Sequence, residues 1–189
     1  MESALIVSYT EKSASFFSEV LNAAGIKQIS VLNSAGEARR HLLEQDFDLV
    51  IADAPLPDES GESFSRHIAS KGLSQVILVV KSEVFDAVSA VCEEDGVLTI
   101  SKPVNREVFW SALSLAKSAS YMIKRIQVEN IKLKQKIEDI RLIDRAKCLL
   151  ISYLNLSEQE AHRFIEKQAM DLRSTKRAIA EEILKTYAN

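Results

Sequence analysis

Apolar residues in the first half of the chain gather into five short runs, at 4–7, 29–32, 49–52, 76–80 and 97–100. Each is rich in Val and Ile and largely free of polar interruption, the pattern of a strand covered on both faces of a parallel sheet. Between them lie amphipathic segments at about 11–24, 35–45, 61–71 and 83–94, and a fifth begins near Asn105. Five rounds of strand and helix predict an α/β domain built on a five-stranded, parallel, doubly wound sheet. Ligands of such sheets bind at the carboxyl ends of the strands, so the residues directly after each run are the ones placed to carry chemistry.

Beyond Val104 the pattern changes to helix alone, with no Pro after Pro103 and no Gly after Gly96. Asn105 is a suitable N-cap, with Val108, Leu113 and Ala116 expected to face the sheet. The same helix is expected to continue as a coiled coil. Ile123, Asn130 and Ile137 fall at heptad position a, and Ile126, Leu133 and Ile140 at position d. A polar Asn at one a position sets register and favours a parallel dimer. Glu129 would meet Lys134 of a second copy, whereas Lys136 and Arg141 oppose that pairing. A stripe packed against the protein's own body is the alternative. The remaining chain reads as a small three-helix all-α domain. The long helix runs to about Leu154, and a capping box from Ser157 to Glu160 opens a second helix burying Ala161, Phe164, Ile165 and Ala169. Ser174 or Thr175 opens a third, with Ile179, Ile183 and Leu184 inward.

Charge divides the chain at a similar place. Residues 1–118 hold 10 Lys+Arg against 17 Asp+Glu, a balance of −7, and residues 119–189 hold 14 against 10, a balance of +4. A basic second half points to an anionic partner. Three segments are therefore expected: an α/β domain at 1–118, a linker helix at 119–142 and a helical domain at 143–189. Cys92 and Cys148 have no metal-ligand spacing and read as buried or half-buried free thiols in a reducing compartment. The first residues do not read as a secretory signal, and no apolar run is long enough to span a membrane, so a cytoplasmic protein is expected. The histidines, His41, His67 and His162, are scattered, and no Ser/His, Cys/His or phosphate-cradling Gly motif is present, which argues against an enzyme.

Two parts of the chain resemble known families. The stretch FDLVIADAPLPD at 47–58, followed by Gly61, and the stretch SKPV at 101–104 are similar to the receiver domain of two-component response regulators. This resemblance implies a flavodoxin-like fold, a phosphoacceptor position at Asp53, a phosphate-contacting position at Lys102 and a cis Lys102–Pro103 bond. Phosphoryl transfer to a carboxylate needs a Mg²⁺ ion held by hard oxygen ligands. The acidic pair that receivers place after the first strand aligns here with Ser8 and Tyr9. The hydroxyl position after the fourth strand aligns with Val80, and the aromatic switch position with Thr99. A pseudo-receiver is therefore expected, with Asp53 inactive as a phosphoacceptor and no metal or other cofactor. A regulatory protein or ligand would act on this domain in place of phosphorylation.

The tail resembles the ANTAR domain, an RNA-binding module of transcription antiterminators. Four blocks carry the likeness in order: Ile143 with Arg145, Ala146, Lys147 and Leu150; Leu156, Ser157 and Ala161; Ala169, Met170 and Asp171; and the stretch AEEI at 180–183. The family's role implies a homodimer binding hairpins in leader mRNA. RNA binding needs cations aimed at phosphates, and the candidates are Arg145, Lys147, Arg163, Lys167, Arg173, Lys176 and Arg177. His162 and Tyr153 are candidates for base stacking, and the helix N-termini near Ser157 and Ser174 for phosphate. Two other readings stay open: a response regulator driven by phosphorylation of Asp53, and a DNA-binding regulator, although no helix-turn-helix is evident.

Overall fold

The computed structural model describes residues 1–187. The chain forms two compact units, Met1–Lys124 and a second beginning at Arg125.

In the first unit, β1 (Ser3–Val7), β2 (Gln28–Leu32), β3 (Leu49–Asp53), β4 (Gln75–Lys81) and β5 (Leu98–Lys102) form a parallel sheet in the order β2-β1-β3-β4-β5. The strands alternate with α1 (Glu11–Ala23), α2 (Ala35–Glu44), α3 (Gly61–Ser70) and α4 (Phe85–Glu93), and α5 (Arg106–Leu154) follows β5. Because strand side chains alternate with period two, each central strand feeds two cores. Ala4, Ile6, Leu49, Ile51, Ile77 and Val79 meet Phe17, Leu21, Phe109 and Leu113 of α1 and α5. Leu5, Val50, Ala52, Leu78 and Val80 meet Ala38, Phe64, Ile68 and Cys92 of α2, α3 and α4. The uninterrupted apolar character of β1, β3 and β4 follows from being covered twice.

Three packing expectations are corrected here. The edge strand β2 is not buried on both faces, and Val31 is exposed, since a sheet edge has a neighbour on one side only. In α5, Val108 is exposed and Phe109 takes its place against the sheet, with Ala112, Leu113 and Ala116. Asn105 is the N-cap as expected, its Oδ1 accepting from Val108 N at 2.8 Å. One residue is about 100° of helix, so Val108 and Phe109 cannot share a face. Cys92 is buried, but Cys148 is exposed.

In the second unit the end of α5 packs with α6 (Glu158–Asp171) and α7 (Lys176–Tyr187). The core is Ala146, Leu150, Ala161, Ile165, Ala169, Ile179, Ala180 and Ile183, half of them alanine, which lets the helices approach closely. Leu184 lies half-buried at its margin. Phe164 is 38 % exposed rather than buried; the inward stripe of α6 is the narrower i, i+4, i+8 row of Ala161, Ile165 and Ala169. The capping box is complete: Ser157 Oγ accepts from Glu160 N, and Glu160 Oε2 accepts from Ser157 N at 2.8 Å. Thr175, not Ser174, caps α7, accepting from Ala178 N. Among the described residues no helix is long and apolar enough to cross a membrane.

Candidate functional site

Asp53 ends β3 in the middle of the sheet, where three strand ends converge. It is 4 % exposed. Ser8, the first residue after β1, donates its hydroxyl to Asp53 Oδ2 at 2.8 Å. Lys102, the last residue of β5, brings Nζ to 2.7 Å from Asp53 Oδ1 and also donates to the Ala54 carbonyl at 2.6 Å. Asp53 Oδ2 thus accepts a hydrogen bond from the adjacent strand end, while Oδ1 lies beside the Lys102 ammonium as a charge pair without a hydrogen bond of its own. The sheet order explains why: β1 and β4 flank β3, and β5 lies one strand further out, within reach of a long lysine side chain. The Lys102–Pro103 bond is cis as expected, and so is Ala54–Pro55.

The other aligned positions do not gather at the carboxylate. Tyr9 is 70 % exposed. Glu11 opens α1 and lies exposed. Val80 is buried on the opposite face of the sheet, lining a cavity of about 310 Å³ with Ala54, Pro55, Gly61, Val84 and Val88. Ser82 lies exposed in the short 3-10 turn Ser82–Val84 after β4. Thr99 Oγ1 is buried with no hydrogen-bond partner among the described residues. It lies near Cys92, whose thiol burial pushes up from its ordinary value.

These residues do not suit a Mg²⁺ ion. Such an ion keeps several waters and is anchored by one or two carboxylates whose oxygens are free to face it. Here the hydroxyl beside Asp53 is spent as a donor toward it, and an ammonium occupies the other oxygen. Among the described residues no three His, Cys, Asp or Glu side chains cluster for a metal.

Two features of this end of the sheet were not foreseen from the sequence. Asp58 accepts from the amides of Ala35 at 3.0 Å and Gly36 at 2.7 Å, holding the α2 N-terminus. The Gly36 bond, with the others, draws the Asp58 carboxyl below its ordinary range. Beside Asp53, on the face covered by α1 and α5, a cavity of about 460 Å³ is lined by Lys12, Phe16, Phe17, Lys102 and Val104 among others. Only the helical spacing of 12, 13, 16 and 17 hinted that these α1 residues share a face.

On the second unit, the seven candidate cations separate into two groups. Lys147 is engaged by Asp144 at 2.7 Å and Glu158 at 3.3 Å, and the Asp144 bond in particular raises its pKa. Lys176 is paired with Glu166, and Arg177 with Asp139 at 2.6 Å and Glu181 at 2.9 Å. Arg145, Arg163, Lys167 and Arg173 are exposed and have no such partner among the described residues. Arg163 and Lys167 lie one turn apart on α6. Arg173 closes that helix in a Schellman motif: Arg173 N bonds to Met170 O and Ser174 N to Ala169 O. Arg173 has a φ of 48°, the left-handed region where glycine is the usual occupant. His162 is exposed beside Glu166 at 3.2 Å, and Tyr153 packs against Tyr187 with the rings tilted by 40° and their centroids 5.4 Å apart. The α6 N-terminus is already served by its capping box, so of the two expected phosphate positions the one near Ser157 is taken.

The expected seam residues on α5 are exposed in the single chain: Ile123 at 40 %, Ile126 and Leu133 at 52 %, Ile137 at 51 % and Ile140 at 59 %, with Asn130 exposed among them.

A parallel sheet in this order, with an aspartate at the end of β3 and a lysine at the end of β5, is the receiver architecture. Residues 4–114 match the response regulator receiver domain family, and residues 132–184 match the ANTAR domain family. The chain belongs to the response regulators that couple a receiver domain to an ANTAR domain. It is 30% identical over 139 residues to the transcriptional regulatory protein PdtaR of Mycobacterium tuberculosis strain CDC 1551 / Oshkosh, covering 74% of this chain and 68% of that protein. PdtaR of strain H37Rv matches equally. Among solved structures, the signal receiver domain of an HD domain-containing protein from Pseudomonas fluorescens Pf-5 superposes with a TM-score of 0.58 at 20% identity, covering 65% of this chain and 91% of that one. The receiver domain of the TMAO respiratory system response regulator TorR gives 0.55 at 22% identity, covering 65% and 99%. These structures share the fold of the first unit.

Proposed function

We propose that this regulator binds hairpins in nascent RNA as a parallel homodimer, and that its receiver unit acts without phosphorylation of Asp53. It would work as a transcription antiterminator in the cytoplasm and not as an enzyme. The observation that carries RNA binding is the set of four exposed, unneutralised cations on the ANTAR unit, Arg145, Arg163, Lys167 and Arg173. A cation already shared with two carboxylates, as Lys147 is, has less field to offer a phosphate. Lys147, Lys176 and Arg177 therefore serve first as struts between helices, and phosphate contact falls to the unpaired four. The homodimer reading rests on the exposed row from Ile123 to Ile140 with Asn130 at a single a position. Covering such a side chain fully contributes about 1.5–3 kcal/mol. Two copies held together would engage two hairpins, each binding raising the effective concentration for the other.

The phosphorylation-independent reading rests on Ser8 and Lys102 engaging both oxygens of Asp53. A carboxylate so held has no oxygen free to face the metal that would offset charge during attack on a phosphodonor. The second reading, an active phosphoacceptor, keeps one observation in its favour: the Asp53–Lys102 pair itself.

A gel shift with a two-hairpin RNA against duplex DNA of equal charge tests the output. Selective binding of the RNA is expected; equal binding of both would defeat the proposal. Intact-mass measurement after incubation with Mg²⁺ and a small phosphodonor tests the receiver. No adduct is expected, and a phosphoryl adduct absent from Asp53→Ala would establish the second reading.

A further inference from the structure

We infer that the cavity beside Asp53 is a binding site for a small organic anion with a flat apolar body, such as an aryl carboxylate. This inference rests on the proposal that Asp53 is held as a structural group. The cavity measures about 460 Å³ and lies on the face of the sheet covered by α1 and α5. That volume falls within the usual range for small-molecule sites, about 300–1,000 Å³.

The lining divides chemically. Phe16, Phe17, Val79, Pro103 and Val104 supply an apolar wall, and Lys12, Ser13, Asp53 and Lys102 supply the polar groups. Asp53 and Lys102 neutralise each other at 2.7 Å. Lys12 is exposed and has no acidic partner among the described residues, so the net charge left at the mouth is positive. Lys102 lies 2.7 Å from Asp53 Oδ1 as a charge pair and donates one hydrogen bond, to the Ala54 carbonyl, so its ammonium keeps donor capacity for a ligand. Ser13 adds a hydroxyl one residue from Lys12. A carboxylate would sit between Lys12 Nζ, Ser13 Oγ and the Lys102 ammonium, with its ring against Phe16 and Val104.

This chemistry selects against the ligands of a working receiver. A divalent cation would meet an ammonium on its carboxylate ligand. A free phosphate would satisfy the cations but leave the apolar wall wet. An uncharged arene would cover the wall but leave Lys12 unmatched. The site also adjoins the start of the long helix, because Val104 precedes the Asn105 cap of α5. A ligand seated there touches the residues from which α5 begins.

The test uses the full chain with 2-naphthoate as probe, its uncharged analogue 2-naphthamide and inorganic phosphate as controls, read by backbone amide NMR shifts. Saturable shifts at Lys12, Phe16, Lys102 and Val104 with a Kd below about 1 mM are expected for naphthoate. Binding about tenfold weaker is expected for naphthamide, and also for naphthoate in Lys12→Glu. Lys12 is exposed, so this variant leaves the fold intact. Absence of saturable shifts, shifts mapping elsewhere, or equal affinity of Lys12→Glu would overturn the inference. The same sample is then given Mg²⁺ and phosphodonor. A phosphoryl adduct would overturn the held-aspartate reading, whereas no adduct together with no naphthoate response would sink the pocket alone.

Discussion

Ser8 Oγ donates to Asp53 Oδ2 at 2.8 Å, and both residues are buried. The Ser8 hydroxyl is a hydrogen-bond donor to the carboxylate. The bond links the ends of β1 and β3, which are adjacent in the sheet.

Ser8→Ala would leave Asp53 Oδ2 without its side-chain donor. A buried acceptor that loses its partner costs about 1–3 kcal/mol. The urea midpoint of the first unit should fall accordingly. Trp110, the single tryptophan, lies in that unit and reports its unfolding by fluorescence. An unchanged midpoint would show that the bond contributes nothing.

Leu133→Asp places a charge in the middle of the α5 seam. Leu133 is exposed in the single chain, so folding of the protomer should change by no more than about 0.5 kcal/mol. The dimer should dissociate, because an aspartate on the seam would be desolvated without a partner. Light scattering after size exclusion should give the mass of one chain. A dimer that survives would remove this row from the interface.

Arg173→Gly separates fold from binding. Arg173 sits at φ 48° at the C′ position of α6. An L side chain there costs roughly 1–2 kcal/mol, which glycine avoids. The variant should hold or raise the melting temperature of the helical unit while weakening RNA. If RNA affinity is unchanged, Arg173 has no role in contact with RNA.

Arg163→Gln with Lys167→Gln removes two unpaired cations from one face of α6. Binding should weaken for every RNA sequence alike, and the slope of log affinity against log salt should become shallower by roughly 1 to 2. Lys147→Gln removes a cation already shared by Asp144 and Glu158. Its effect should appear in thermal stability more than in the salt slope. The reverse ranking would reassign the contact surface.

Acid should loosen α6 through its capping box. Glu160 has its pKa drawn below the ordinary 4.5 by the Ser157 hydroxyl first and the Ser157 amide second. A carboxyl depressed in the folded state stabilises fully above its unfolded value, and the contribution is lost as pH falls through the folded value. Helicity of the second unit should therefore decline below about pH 4.5 in the wild type. Glu160→Gln should flatten that part of the profile in circular dichroism; an identical profile would exclude the box as the cause.

The features legible in advance were those that depend on local order. Runs of Val and Ile mark β1, β3 and β4 because a strand covered on both faces has no polar position to show. Asn105 and the Ser157–Glu160 pair mark helix starts because capping is a contact between residues three apart. Asp53 and Lys102 were legible as strand-end residues because each follows closely on an apolar run. Val108 and Phe164 were misplaced because an amphipathic stripe read at loose spacing tolerates an error of one residue, whereas packing does not.

The sequence by itself thus determined the α/β unit, the helical tail and the identity of the residues at the strand ends. Tertiary structure decided what those residues do to one another. Asp53 meets Ser8 from 45 positions away, and Lys102 from further still, only because parallel crossovers bring three carboxyl ends together. Lys12 and Val104 share a cavity for the same reason. In the tail, which cations are spent and which are free depends on acids from other helices: Glu158 against Lys147, Glu166 against Lys176, Asp139 against Arg177. Such pairings follow from how helices pack, and a count of charges along the chain contains no term for them.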